Sequence, residues 1–284
     1  MKYEFIAAHR EEFTIRVMCR VLEVSSSGFY AWLERPVSPR QAENEQLTQQ
    51  IKLLHKRSRK SYGSPRIHAD LQAMGIRVNR KRVSRLMRVN GIRARQKRSY
   101  KTTTKSHPSR PAAANLLAQE FSATALNEKW LADITYIETG EGWLYLAAVL
   151  DIYSRKIVGW SMSKYLHKKL VEDALKMGLG RRHIAGNLLH HSDRGSQYTS
   201  HDYLNLLKEN HIQISMSGTG NCYDNAMMES FFATLKTECA FEPYATRQLA
   251  RQSLFDYIEL WYNRRRRHSA LGYLSPEQFE QLVA

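Results

Sequence analysis

Cysteine is scarce. The three present, Cys19, Cys222 and Cys239, stand far apart and form no CxxC pair. That spacing argues against a disulfide framework and against a structural zinc site, and favours a reducing compartment. Long apolar runs are lacking too: the longest, WLYLAAVL over residues 143–150, is far shorter than the roughly 20 residues a membrane-spanning helix needs. The opening MKYEFIAAHREEF has no signal-peptide core. The expectation is a soluble intracellular protein. Acidic residues are missing from one stretch in particular. Residues 52–105 hold 18 Lys or Arg and a single acid, Asp70, whereas the remainder carries 25 basic and 26 acidic residues. The net charge of +16 therefore belongs to one segment, and a segment so charged implies a polyanionic partner, most commonly nucleic acid.

The 284 residues are enough for two or three compact units with a sizeable core. Residues 14–34 read as two short helices joined by a turn. Ile15, Met18, Cys19 and Leu22 form one stripe, Ser25–Ser27 cap the second helix, and Phe29, Tyr30, Trp32 and Leu33 lie along it. A helix-turn-helix and a helical hairpin that packs or dimerises fit this pattern equally. Pro36 and Pro39 then mark a linker, and a helix over residues 42–59 leads into the basic segment. There Ser64 is expected to cap a helix with Pro65 at its first position, an inner stripe of Ile67, Leu71 and Met74, and Gly75 at its end. Asn79 caps a second helix ended by Gly91. Val83, Leu86 and Met87 form its apolar side, while Lys81, Arg85 and Arg88, with Arg82 beside them, form a cationic one suited to a DNA groove. Residues 93–111, with Lys97 and Arg98, read as an extended basic linker able to track phosphates.

Beyond it the pattern is α/β. Strands are expected at residues 130–138, 143–151 and 156–163, then helix, strand, helix and strand, with Asp224 capping a helix that carries Glu229. Such an order predicts a mixed sheet with helices on both faces. Asp133 interrupts an apolar strand, WLADITYIE, and Asp193 closes the strand LLHHS at the start of a Gly-containing loop. An unpaired buried carboxylate costs several kcal/mol. Asp133, Asp193 and Glu229, the last two separated by 35 residues, are therefore read as converging on divalent metal. Two such ions clamp the attacking and leaving oxygens of a phosphodiester. Lys236 lies two turns beyond Glu229 on the same helix face, as a phosphate ligand or a surface lysine. A last helix over residues 247–266, with Ala250, Leu254, Ile258 and Trp261 at packing intervals, ends in RRRRH. Four consecutive arginines, among them Arg264, Arg265 and Arg266, more often meet an anion than merely offset a helix dipole.

The segments ADITYIETGEGWLYLAAVLDIYSRKIVGW, HSDRGSQYTS, NCYDNAMMESFFATLKTE and YNRRRRHSALGYLSPEQFE closely resemble the catalytic region of bacterial insertion-sequence transposases of the IS3 family, in the retroviral-integrase superfamily. The opening 36 residues and SYGSPRIHADLQ also resemble OrfB, that family's second-frame protein. The resemblance implies a ribonuclease-H-like catalytic core preceded by an all-α helix-turn-helix region and followed by a helical extension. The corresponding division is 1–40 and 41–100 for the helical segments, 101–124 for the linker, 125–240 for the core and 241–284 for the extension. It implies that Asp133, Asp193 and Glu229 match the DDE triad holding two Mg2+ or Mn2+ ions, and that Lys236 matches the basic residue after the Glu. Arg66 and Arg194 join the basic residues expected at DNA. The implied reaction cleaves the 3′ end of the element and transfers the freed 3′-OH to a second phosphodiester, with no covalent protein intermediate. The implied partners are the element's terminal repeats, target DNA, at least one further protomer, and OrfA, separate or fused. The implied location is the bacterial cytoplasm, at the nucleoid when on DNA. A DNA-binding regulator with an inactive nuclease-like domain, and a ribonuclease-H-like nuclease without strand transfer, are the alternatives.

Overall fold

The computed structural model describes residues 1–36, 38–95, 113–218 and 225–284. Contacts divide the chain into two compact units, Met1–Ile51 and Lys52–Ala284. The first contains α1 (Lys2–Ala8), α2 (Ile15–Val21), α3 (Ser26–Leu33) and most of α4 (Pro39–Arg57). The expected helix pair is present, with the Ser25 hydroxyl accepting from the Gly28 backbone N–H at the start of α3. The pattern does not reveal α1, which closes the core. Ile6 is fully buried with Met18, Cys19 and Phe29, and Tyr3 packs beside them. Tyr30 and Leu33, also on α3, are about half exposed.

In the second unit, α5 (Ser64–Ala73) and α6 (Arg80–Val89) follow the expected punctuation with two changes. Gly63 occupies the N-cap, so Ser64 and Pro65 are the first helical residues, and Met74 is 52% exposed because the helix ends before it turns inward. Asn79 caps α6 through the Lys81 N–H. Gly75 and Gly91 terminate the two helices at φ of 78° and 64°, values a side chain would strain. This pair packs on the C-terminal segment. The fully buried Tyr62 lies 5.8 Å from the Trp261 ring and accepts the Arg267 N–H at 2.7 Å, while the Arg267 side chain pairs with Asp70.

The core is a five-stranded sheet in the order β3-β2-β1-β4-β5, formed by β1 (Lys129–Ile137), β2 (Leu144–Asp151), β3 (Ile157–Ser163), β4 (Leu189–Ser192) and β5 (Gln213–Met216). The first three strands meander antiparallel, and β4 and β5 add in parallel beside β1. A mixed sheet is thus observed as expected. Helices α7 (Lys168–Arg181) and α8 (His201–Glu209) cover one face, burying Trp130, Ala132, Val158, Leu175 and Leu207 in one cluster. α7 sits against β3 because Gly159 has no side chain: a Cβ there would lie 2.1 Å from the Ala174 carbonyl oxygen.

Helix α9 (Ala226–Glu238) packs against β1. The expected last helix is interrupted. α10 (Arg247–Phe255) passes into a π-helical segment, Asp256–Tyr262. Ala250, Leu254, Ile258 and Trp261 all face inward, so the packing prediction stands while the helix geometry changes. The wider turn brings Tyr257 and Trp261 onto the buried Glu238 carboxylate, at 3.1 and 3.2 Å. The final helix, α11 (Pro276–Val283), opens with a capping box on Ser275 and Gln278. Its Glu280 accepts from Lys156 at 2.7 Å and pairs with Arg182.

Candidate active site

Strand register brings the first two carboxylates together. Lys129, Trp130 and Leu131 of β1 lie beside Leu189, His190 and His191 of β4, and the same offset carried two residues further sets Asp133 beside Asp193. Both are partly buried. Asp133 is pushed well above the ordinary carboxylate range by burial and then by the Asp193 charge, with Glu229 adding to the rise. Burial raises Asp193 as well, against the pull of the Gly195 backbone N–H, which donates to Oδ1 at 2.9 Å.

Glu229 stands exposed in the first turn of α9, within electrostatic reach of Asp133. Among the described residues no three His, Cys, Asp or Glu side chains form a compact metal-holding group, so the register juxtaposes the two aspartates while Glu229 remains outside a ligating cluster. Lys236, two turns along α9, is partly buried with its ammonium 4.8 Å from the Tyr136 ring centroid. Burial lowers its pKa, while Tyr136 and Asp133 hold it up. Among the described residues neither aspartate forms an ion pair.

Beneath the aspartates the strand residues are locked. His191 bonds to the hydroxyls of Ser215 at 2.8 Å and Ser217 at 3.1 Å, and His190 to Tyr203 at 3.0 Å. Burial lowers His190 to a pKa of about 3. Sequence reasoning missed Tyr198, five residues beyond Asp193 in the loop. Its buried hydroxyl has no hydrogen-bond partner among the described residues and is raised by burial, by Tyr203 and by the charges of Asp133 and Asp193. A tyrosine in a polar loop gives no sequence signal of burial.

The basic residues separate into groups. Lys81, Arg85 and Arg88 are exposed along α6, with Arg82 partly buried at its edge. Arg194 is anchored by its Nε donating to the Ser217 carbonyl at 2.7 Å. Arg264 and Arg265 are exposed. Arg266 is not a surface cation: it is 5% exposed and donates to both oxygens of Glu238, at 3.0 and 3.1 Å. The helical winding ends at Tyr262, short of the expected residue 266, and the arginine run lies in the turn and extended chain beyond it, which directs Arg266 inward. Arg66 is drawn inward as well, its guanidinium over the Tyr62 ring. Lys97, Arg98 and the expected Asp224 cap lie outside the described residues.

Models of an integrase core domain match residues 123–222 and 210–276, and an HTH-like domain matches residues 42–100. The transposase InsF of insertion sequence IS3A from Escherichia coli strain K12 is 46% identical over 283 residues, covering 99% of this chain and 98% of that protein. The chain belongs to the IS3-family transposases. Membership makes it an integrase-type DNA transposase, a polynucleotidyl transferase. A second relative, an uncharacterized 31 kDa protein of insertion element IS600 from Shigella sonnei, is 44% identical and covers 93% of this chain and 97% of its own. Among solved structures, the BIV integrase catalytic core domain aligns with 55% of this transposase and 95% of its own chain, with a TM-score of 0.40 and 17% identity. That likeness is too low to add to the family assignment. No helix among the described residues is long and apolar enough to cross a membrane.

Proposed function

We propose that this transposase cleaves the 3′ ends of its element and joins them to a second phosphodiester at the cleft of Asp133, Asp193 and Glu229, with two Mg2+ or Mn2+ ions held by these carboxylates. The observation that carries the proposal is the juxtaposition of two partly buried aspartates, each pushed above the ordinary carboxylate range, with a third carboxylate in range and, among the described residues, no arginine or lysine in ion-pair contact with the aspartates. Hard oxygen donors whose charge is uncompensated are the ligand set that a hard divalent cation favours. When bound, such ions neutralise phosphodiester charge and activate an oxygen nucleophile.

The chain's own residues have separable tasks. Asp133 is held rigidly in a central strand, and the Gly195 N–H fixes the orientation of Asp193. Glu229 completes the donor set from α9. Lys236, on the same helix, binds a phosphate oxygen of the scissile strand or its neighbour. The cationic face of α6, with Arg194, Arg264 and Arg265, takes up backbone phosphates of the element ends. At least two protomers hold the two ends together, and an OrfA segment contributes further end recognition.

The test is an incubation of purified protein with a labelled duplex carrying the element's terminal repeat, in Mg2+, Mn2+ or EDTA, beside Glu229→Ala. Joined product that requires both metal and Glu229 supports the proposal; joined product from a folded Glu229→Ala protein overturns the assignment. Mass measurement of the protein–DNA complex tests the oligomer, and a monomer at saturating DNA rejects it.

A further inference from the structure

A second feature of α9 lies away from the carboxylates. A cavity of about 410 Å3 opens beside the helix, between the end of the π-helical segment and α5. Its charged lining is Arg66, Arg95, Arg155, Arg266 and Glu238. Four guanidinium groups thus face one carboxylate, and Glu238 is already engaged by Arg266, Tyr257 and Trp261.

Two of the other arginines lack ion-pair partners among the described residues. The buried Arg66 Nε has no hydrogen-bond partner among the described residues, and neither does the buried Nε2 of His268 on the same wall. Arg155 forms no side-chain hydrogen bond or ion pair among the described residues. Burial depresses both Arg66 and Arg155 below the ordinary arginine value. His268 is held well below its usual value by burial and then by Arg266, Arg66 and Arg155, so three guanidinium charges reach one imidazole. Ser230, one turn into α9, adds a hydroxyl to the lining.

Arg155 is also held in an uncommon conformation. It is a non-glycine residue at φ 61° in the β2–β3 turn. The turn is tied by its N–H donating to the Asp151 carbonyl at 2.9 Å, and by the Asp151 carboxylate accepting from Ser154 and Asn127. Backbone strain at a residue whose side chain points into a cavity suits a functional position better than a structural one.

We propose that this cavity binds a phosphate group, with Arg66 and Arg155 as its principal donors and the Arg266–Glu238 pair as its rigid wall. Planar guanidinium groups match phosphate geometry in a bidentate manner. The group belongs either to a DNA backbone or to a free phosphate compound. The DNA source rests on the transposase reading above; the phosphate chemistry does not.

The experiment is calorimetric titration of the full-length protein, free of DNA and divalent metal, with inorganic pyrophosphate. Arg155→Gly and Arg66→Gln are compared, with Asp133→Asn as a control outside the cavity. Glycine accepts φ 61° without strain, so Arg155→Gly should remain folded. The expected result is saturable binding, weakened at least about tenfold in each arginine variant and unchanged in the control. Absence of binding by folded wild-type protein, or binding by both variants as tight as wild type, overturns the proposal. Competition between pyrophosphate and a terminal-repeat duplex, with a shallower salt dependence of DNA binding in Arg155→Gly, identifies the DNA backbone as the source. Pyrophosphate binding without competition identifies a free phosphate compound. A protein that binds pyrophosphate but never joins DNA would refute the transposase mechanism and leave the pocket standing.

Discussion

Two stripes of α9 meet opposite electrostatic problems. On one, Glu229 and Lys236 approach the cleft of Asp133 and Asp193, where negative charge is in excess. On the other, Ser230 and Glu238 line a cavity where positive charge is in excess. The contrast within the second site is equally informative. Arg266 is buried but paired, and although burial opposes its charge, Glu238 outweighs that and raises its pKa. Arg66 and Arg155 are drawn inward with no ion pair among the described residues, and burial depresses them more than Glu238 and Asp151 hold them up. A paired buried charge holds a fold together, whereas an unpaired one of either sign awaits a ligand of the opposite sign.

The largest expected effect breaks the acidic side. Asp133→Ala or Asp193→Ala should reduce strand joining by on the order of 10³-fold or more while leaving duplex binding intact by mobility shift. Next comes the paired arginine. Arg266→Met leaves Glu238 buried and uncompensated and should cost about 3–5 kcal/mol in urea unfolding, whereas Arg155→Gly should cost nothing measurable. If both behaved alike, the distinction between paired and unpaired arginines would collapse.

The exposed cations of α6 extend the comparison to the surface. Replacing Lys81, Arg85 and Arg88 together by Gln should flatten the log–log salt dependence of DNA binding by roughly three, without altering stability beyond about 0.5 kcal/mol. A smaller effect sharpens the acidic side. Asp133→Asn should stabilise the metal-free protein by about 1 kcal/mol at neutral pH. A carboxylate raised in the folded state contributes stability below the unfolded value of 3.8 and loses it as pH rises through the raised value. The variant's advantage should therefore vanish in acid. His190 runs the other way. Lowered from 6.5 to about 3, it contributes stability above pH 6.5 that is lost as pH falls toward 3, and His190→Gln should flatten that acid limb of the unfolding curve.

Much of this was legible along the chain. Alternation at β1 and the apolar run into Asp193 marked two strands and the position of a carboxylate on each, because a sheet buries alternate side chains whatever surrounds it. The helix punctuation at Gly75, Asn79 and Gly91 was equally local. Other features left weaker traces. Helix α1 contributes only Ile6 as a fully buried residue, too little for a periodic signal. Apolar spacing in residues 250–261 continues across the change from α to π winding, so it predicted the inward face and concealed the interruption. Met74 and Ser64 each missed by about one position, the usual uncertainty of a helix end.

The arginines show where local reading stops. Composition determined that this chain is strongly basic between residues 52 and 105, and motif spacing determined the order of its acids. Which cations face solvent was decided by tertiary packing: α5 settled on the C-terminal segment through Tyr62 and Trp261, and the RRRRH run turned Arg266 inward onto Glu238. Likewise local pattern was enough to put Asp133 in a strand and Asp193 directly after one, but only the parallel pairing of β1 with β4 set them side by side. Secondary structure answers to neighbours along the chain. The sign and pairing of a buried charge depend on groups far along the chain, 28 residues away for Arg266 and Glu238, which only the folded packing brings into range.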